Sequence, residues 1–234
     1  MSSGRKVAKR SRRRRRPGAQ LHLDSLRHGG RREGAGRPKS SDKVVHDTRP
    51  VLPHYVPVHV TMRLDRRLRL RSGRLYGAVL RSISAAQGRF GMRVLHWSVQ
   101  HGHMHMIVEA PNRRSLSSGM QGLSIRVSKG INRAMRRPRG RVFTDRYHAS
   151  QLRTPRQVRH ALSYVLNNRR RHLRKLGKAQ PPPTWVDPFC SGVRDGRVFR
   201  ATGPPPCAAP RTWLAGGGWK RYGLVPVGEV PGER

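Results

Sequence analysis

From His103 to Glu109 the chain alternates in a way that commits it to a strand, because successive side chains of a strand point to opposite faces. His103, His105, Ile107 and Glu109 fall on one side, and Met104, Met106 and Val108 on the other. A strand apolar on one face needs a sheet around it and a layer behind it. His101-Gly102 reads as a turn, so Met92–Val99 becomes the hairpin partner, with Leu95, Trp97 and Val99 on its apolar side. Val58–Leu64 alternates too: Val58, Val60, Met62 and Leu64 face a core, and His59, Thr61 and Arg63 face away. Two imidazoles two residues apart can clamp a metal. They can equally be solvated positions on a half-buried strand, and this stretch alone does not choose.

Helical spacing supplies the layer. Leu75, Val79, Ile83, Ala86 and Phe90 predict a helix from about Ser72 to Phe90, ended by Gly88 and Gly91. Leu116, Met120, Leu123, Val127 and Ile131 predict a second, from about Ser115 to Met135, broken by Pro138-Arg139-Gly140. Val142–Leu152 reads as a short strand or two, with Phe143 and Tyr147 as packing residues. Thr154-Pro155 starts a third helix running to about Leu173, with Thr as N-cap and Pro in the first turn. Strand, helix, strand, strand, helix, strand, helix is the order of an α+β sandwich of the ferredoxin or RNA-recognition type: an antiparallel central sheet, two helices on one face, and the histidine face left open.

Charge bounds the partner. The chain carries 51 Lys and Arg against 11 Asp and Glu, a formal net charge of +40. Such an excess opposes compaction and favours a polyanion, nucleic acid before a membrane surface. Between Val58 and Leu176 there are 27 basic residues and three acids, Asp65, Glu109 and Asp145, too few and too scattered for a carboxylate-triad nuclease. Residues 1–50 read as a basic disordered arm, 51–178 as the folded domain, and 179–234 as a Pro- and Gly-rich extension with aromatic anchors (Trp185, Phe189, Trp213, Trp219, Tyr222). Cys190 and Cys207 form no CxxC pair, and no apolar run is long enough to span a membrane. A reducing, cytoplasmic setting fits.

The third helix carries the other candidate parts. Val158, Ala161, Leu162 and Val165 share an apolar face; Tyr164 and Asn168 lie off it, four apart and therefore neighbours, flanked by His160 and Arg171. His103, His105 and the Asn168 carbonyl could supply three ligands with positions left for substrate oxygens. Nitrogen and oxygen donors without thiolate suit Mg²⁺ or Mn²⁺, with Zn²⁺ also compatible.

With these parts in place, Val58 to about Leu176 resembles the single-tyrosine HUH transposases, most closely the REP-associated branch. The matching residues are His59-Val60-Thr61, His103-Met104-His105, Phe143-Thr144-Asp145-Arg146-Tyr147 and Tyr164-Val165-Leu166-Asn167-Asn168. The resemblance implies that Tyr164 is the nucleophile, that His103, His105 and Asn168 hold a divalent metal, and that single-stranded or hairpin-forming DNA is cleaved and rejoined through a 5′-phosphotyrosine. It also implies two cooperating protomers, as a homodimer or on paired hairpins, in a bacterial nucleoid. Two positions depart from the family pattern: Gly102 stands where Asn is usual, and Arg169 where Pro is usual.

Other residues compete for roles. Tyr147 is the rival nucleophile. His59, His101 and His160 are accessory candidates, and Glu109 either orients a ligand or ends its strand. Arg126, Lys129, Arg133 and Arg146 are either phosphate contacts or a solvated face. The alternative function is a catalytically inactive relative that grips structured DNA or RNA. A replication initiator or relaxase fits less well, since the chain has no P-loop.

Overall fold

The apolar side of the central strands finds its cover in two helices. In the computed structural model, which describes residues 50–54 and 56–232, four antiparallel strands lie in the order β2-β3-β1-β4: β1 Val58–Arg63, β2 Arg93–Val99, β3 His103–Glu109 and β4 His148–Gln151. The α+β sandwich expected from the sequence is the fold observed. The basic arm over residues 1–50 lies, but for Pro50, outside the described residues. All described residues fall in one unit.

Helix α1 (Gly73–Ala86) and helix α2 (Arg113–Ala134) cover one face. Val60, Met62, Met104, Met106 and Val108 from the strands meet Val79, Ile83, Met120, Leu123, Val127 and Ile131 from the helices in one buried cluster. Helix α2 starts where Asn112 accepts the Ser115 N–H through its side chain. Helix α1 stops earlier than its apolar spacing suggests. Gly88 adopts a left-handed φ of 71°, and a short 3-10 turn over Arg89–Gly91 leaves Phe90 exposed rather than on the helix's buried face.

Two further expectations are corrected. Leu95 does not share a face with Trp97 and Val99: the register shifts between Val94 and His96, and this bulge turns Leu95 to the opposite side. The histidine face is not left open either. Helix α3 (Pro155–Leu166) and the C-terminal segment cover its β2–β3 side, where Leu95 and Ile107 pack with Val158, Leu162, Val165, Phe199, Leu214, Trp219 and Val227. The tail brings a two-strand hairpin, β5 Arg194–Asp195 with β6 Val198–Phe199, a short helix α5 (Trp213–Gly216) and a 3-10 turn over Gly218–Tyr222.

The predicted third helix is in fact two. Thr154 and Gln157 form a reciprocal capping box that starts α3. The helix then breaks at Asn167, whose backbone leaves helical geometry (φ −104°, ψ 17°), and α4 (Asn168–Lys175) follows. Asn167 is buried and donates its side-chain N–H to the Pro226 carbonyl at 3.0 Å. The break thus needs no proline at position 169: a tail carbonyl holds the junction.

Candidate active site

Antiparallel pairing in the middle of the sheet assembles the site. Thr61 of β1 lies opposite His105 of β3, and Arg63 opposite His103. Central strands paired on both sides give these side chains a rigid base. Thr61 Oγ1 lies 3.0 Å from His105 Nδ1. A hydroxyl accepting from Nδ1–H leaves the lone pair on Nε2, the nitrogen that points onward into the site.

That Nε2 is buried and has no hydrogen-bond partner. Asn168 is fully buried, and both atoms of its side-chain amide are likewise unpartnered. It lies close enough to His103 to favour that ring's charged form, though no hydrogen bond of normal geometry joins them. Buried polar groups left unpaired are costly and rare, so a cluster of them marks a place built for a ligand. Among the described residues no three His, Cys, Asp or Glu side chains form a closed cation cage; an amide oxygen from Asn168 is the additional donor type here.

Tyr164 stands over this base. Its ring meets His105 edge-on at 4.9 Å between centroids and His59 at 5.5 Å, while His59 stacks on His105 at 5.3 Å. Arg171 Nη1 donates to the phenol oxygen at 2.9 Å, and its guanidinium carbon lies 4.9 Å from the ring centre. The phenol oxygen is therefore held by a cation rather than by a base.

Electrostatics keep the imidazoles neutral. Burial, reinforced by neighbouring His59, His103, His172 and Arg171, lowers the His105 pKa to about 2. Burial first, and then His172, lowers that of His103 to about 4. His59 is also lowered to about 4, by burial and then His148. At neutral pH all three offer lone pairs, as metal ligation requires.

The structure thus brings together His59, His103, His105, Tyr164 and Asn168. Of the remaining candidates, His101 lies near enough to bear on His103 and His172, and the others stand apart. Tyr147 lies on the helix side of the sheet, packed against the main core with its hydroxyl 3.5 Å from Ser117 Oγ. Arg126, Lys129 and Arg133 ride on α2, behind the sheet, and Arg126 donates to the Gly122 carbonyl of its own helix. Arg146 is exposed on the approach to β4, and His160 is exposed one turn before Tyr164. Glu109 is buried and ends β3, the second of the readings offered for it; it also accepts the backbone N–H groups of Arg211 and Thr212, each at 2.9 Å, and so pins the start of α5.

Two residues at the site escaped the sequence reading. Thr61 could have been found from its place opposite His105. His172 continues the spacing Tyr164, Asn168 by a further four, but sits in an Arg-rich run that reads as solvated. The two departures from the family pattern also find reasons. At Gly102 a Cβ would lie 2.8 Å from Arg66 Cγ, so the Arg66 stem occupies the space an Asn would need. Arg169 follows a junction already held by Asn167.

The sequence pattern of the family described as "Transposase IS200 like" matches residues 54–168. Among solved structures, a REP-associated tyrosine transposase bound to a REP hairpin is similar at 20% identity with a TM-score of 0.49, covering 63% of this chain and 82% of that one. No curated protein matches.

Proposed function

With residues 54–168 belonging to the IS200-like transposase family, we propose that this protein is a single-tyrosine DNA transesterase acting on single-stranded or hairpin-forming DNA. The observation that carries the reading is Tyr164, its hydroxyl held by Arg171 and its ring seated on the paired imidazoles His59 and His105.

Tyr164 Oη attacks a backbone phosphorus. The new bond joins tyrosine to the 5′-phosphate, the P–O3′ bond breaks, and the 3′-oxygen leaves and takes up a proton as the 3′-OH. A phosphodiester replaces a phosphodiester, so rejoining to another 3′-OH needs no nucleotide. Phenol is a weak nucleophile. Arg171 supplies positive charge at the phenol oxygen, which gains negative charge when tyrosine departs in the rejoining step. Thr61 holds the His105 ring at Nδ1, and the ring contacts orient Tyr164.

His103, His105 and the Asn168 amide oxygen fit a divalent cation such as Mg²⁺ or Mn²⁺: His105 and Asn168 are buried with unpartnered polar atoms, and half-buried His103 stands beside them as a neutral ring. When bound, such an ion polarises the phosphate oxygens. The basic surroundings, Arg66, Arg169, Arg171 and Lys175, suit a DNA strand. Transposition needs two cleavages, so two protomers act together, as a homodimer or on neighbouring hairpins. Among the described residues no helix is long and apolar enough to cross a membrane; a location on the bacterial nucleoid belongs to the same proposal.

The test is a labelled hairpin carrying an interrupted strand, incubated with Mg²⁺ or Mn²⁺. The intact protein is expected to form a covalent adduct, and Tyr164→Phe none. An adduct that persists in Tyr164→Phe removes the nucleophile assignment. Salt-sensitive binding with no cleavage in either protein would instead support the inactive binder.

A further inference from the structure

His172 meets the site in a way the family resemblance does not supply. Its Nε2 lies 3.1 Å from His103 Nε2, the two rings 5.0 Å apart between centroids. His172 sits on α4, one turn after Asn168, and turns in toward the sheet although the charges that bear on it are Arg171, Arg169, Lys175 and His101. No carboxylate is among them to draw it inward. The contact is a hydrogen bond in which one ring N–H donates to the other ring; two nitrogens bound to one ion at metal–imidazole distances also lie about 2.9–3.4 Å apart, so the pair can give up the shared proton and hold a cation with little movement.

We infer that His172 is a third imidazole donor of the cation site, beside His103 and His105, and that the site prefers a nitrogen-binding transition ion to Mg²⁺. The inference rests on the proposed metal-assisted reading of the site. Three imidazoles and an amide oxygen, with no carboxylate, are a poor set for Mg²⁺, which favours oxygen and keeps its waters. They suit Mn²⁺, Co²⁺ or Zn²⁺ better. The three imidazoles are not yet a closed cage. His105 is held through Nδ1 by Thr61 while His103 and His172 face each other, so ligation by all three draws the rings around the ion.

Metal-stripped full chain titrated with Co²⁺ tests this through visible absorption. His172→Gln is expected to weaken Co²⁺ binding by roughly tenfold or more, since even residues behind a ligand are worth 10–100-fold, and to shift the cobalt bands as one nitrogen donor is lost. Mg²⁺ in about hundredfold excess is expected not to displace Co²⁺. His172→Cys is expected to add a sulfur-to-cobalt absorption in the near ultraviolet, which arises only if position 172 touches the ion and which decides the matter should the Gln variant fold poorly. Unchanged affinity in His172→Gln with no sulfur band in His172→Cys overturns the inference. So does tighter binding, which would make His172 a plug on His103. If either happens while His103→Gln abolishes Co²⁺ binding, the two-histidine clamp still stands. If His103→Gln binds Co²⁺ normally, the clamp itself falls.

Discussion

Arg170 links α4 to the tail, and removing it measures how much the tail matters. The residue is 3% exposed. Its Nε donates to the Val227 carbonyl at 2.9 Å, Nη1 to Pro181 at 2.8 Å, and Nη2 to Pro182 at 2.5 Å and Trp185 at 3.1 Å. Arg170→Met keeps most of the aliphatic stem and deletes all four bonds. At about 1 kcal/mol net for each hydrogen bond, the loss is about 4 kcal/mol. A domain of this size loses roughly 2–4 °C per kcal/mol, so the melting temperature should fall by about 10 °C. Urea unfolding followed by far-ultraviolet circular dichroism gives the direct comparison, with the midpoint moving and the slope unchanged. A midpoint within error of the parent would refute the idea that the tail is anchored here, because four carbonyls cannot lose their donor without cost if the contacts hold in solution.

Two further outcomes follow from burial and packing. His96 is 3% exposed, bonded to Ser191 Oγ and the Ala201 carbonyl, and burial lowers its pKa to about 4. The unfolded chain, with an ordinary histidine near 6.5, binds the proton first, so the stability His96 contributes is present above pH 6.5 and is lost as pH falls toward 4, about 3 kcal/mol in all. His96→Gln should flatten that part of the pH–stability curve; an unaltered slope between pH 6.5 and 4 would contradict it. At Gly119 an added Cβ would lie 2.5 Å from Met92 Cβ. Gly119→Ala should therefore cost about 1–3 kcal/mol by overpacking α2 against the start of β2, despite alanine's better helix propensity. Chemical denaturation checks the sign, and a stabilised variant would refute the close approach.

The parts of the fold that repeat with a period were readable in the sequence. Alternation fixed the faces of β1 and β3, and spacing of three and four placed α1 and α2. The bulge at Leu95 was not readable, because one extra residue in a run of apolar side chains leaves no mark on the pattern. The break at Asn167 was hidden for a related reason: the polar and apolar faces of Val158–Val165 run on smoothly, and what ends α3 is a carbonyl from Pro226. In the site, the residues named from alternation and from the four-residue step are those the structure draws together, while the arginines named from charge alone lie behind the sheet. Charge says that a surface attracts DNA but not which side of the sheet presents it. The aromatic anchors of the tail were readable, and Trp219 and Phe189 do pack onto the domain, but the polar part of its grip was hidden for a third reason. Arg159 pairs with Glu229, Ser163 donates to the same carboxylate at 2.6 Å, and Arg170 reaches only backbone oxygens. None of these has a local sequence signature.

The tail's place beneath α3 has a consequence for synthesis. All of Tyr164, His103, His105 and Asn168 leave the ribosome before Phe199, Leu214, Trp219, Val225 and Val227, which cover the apolar side of the helix carrying the tyrosine. Until those residues emerge, that side has only Leu95 and Ile107 of the sheet to pack on. Glu229, the partner of Arg159 and Ser163, comes later still. A nascent chain that stops short of these residues therefore holds the candidate site residues in sequence but lacks the support that aims them. The order of translation delays assembly of the site until the segment from Phe199 to Glu229 has emerged.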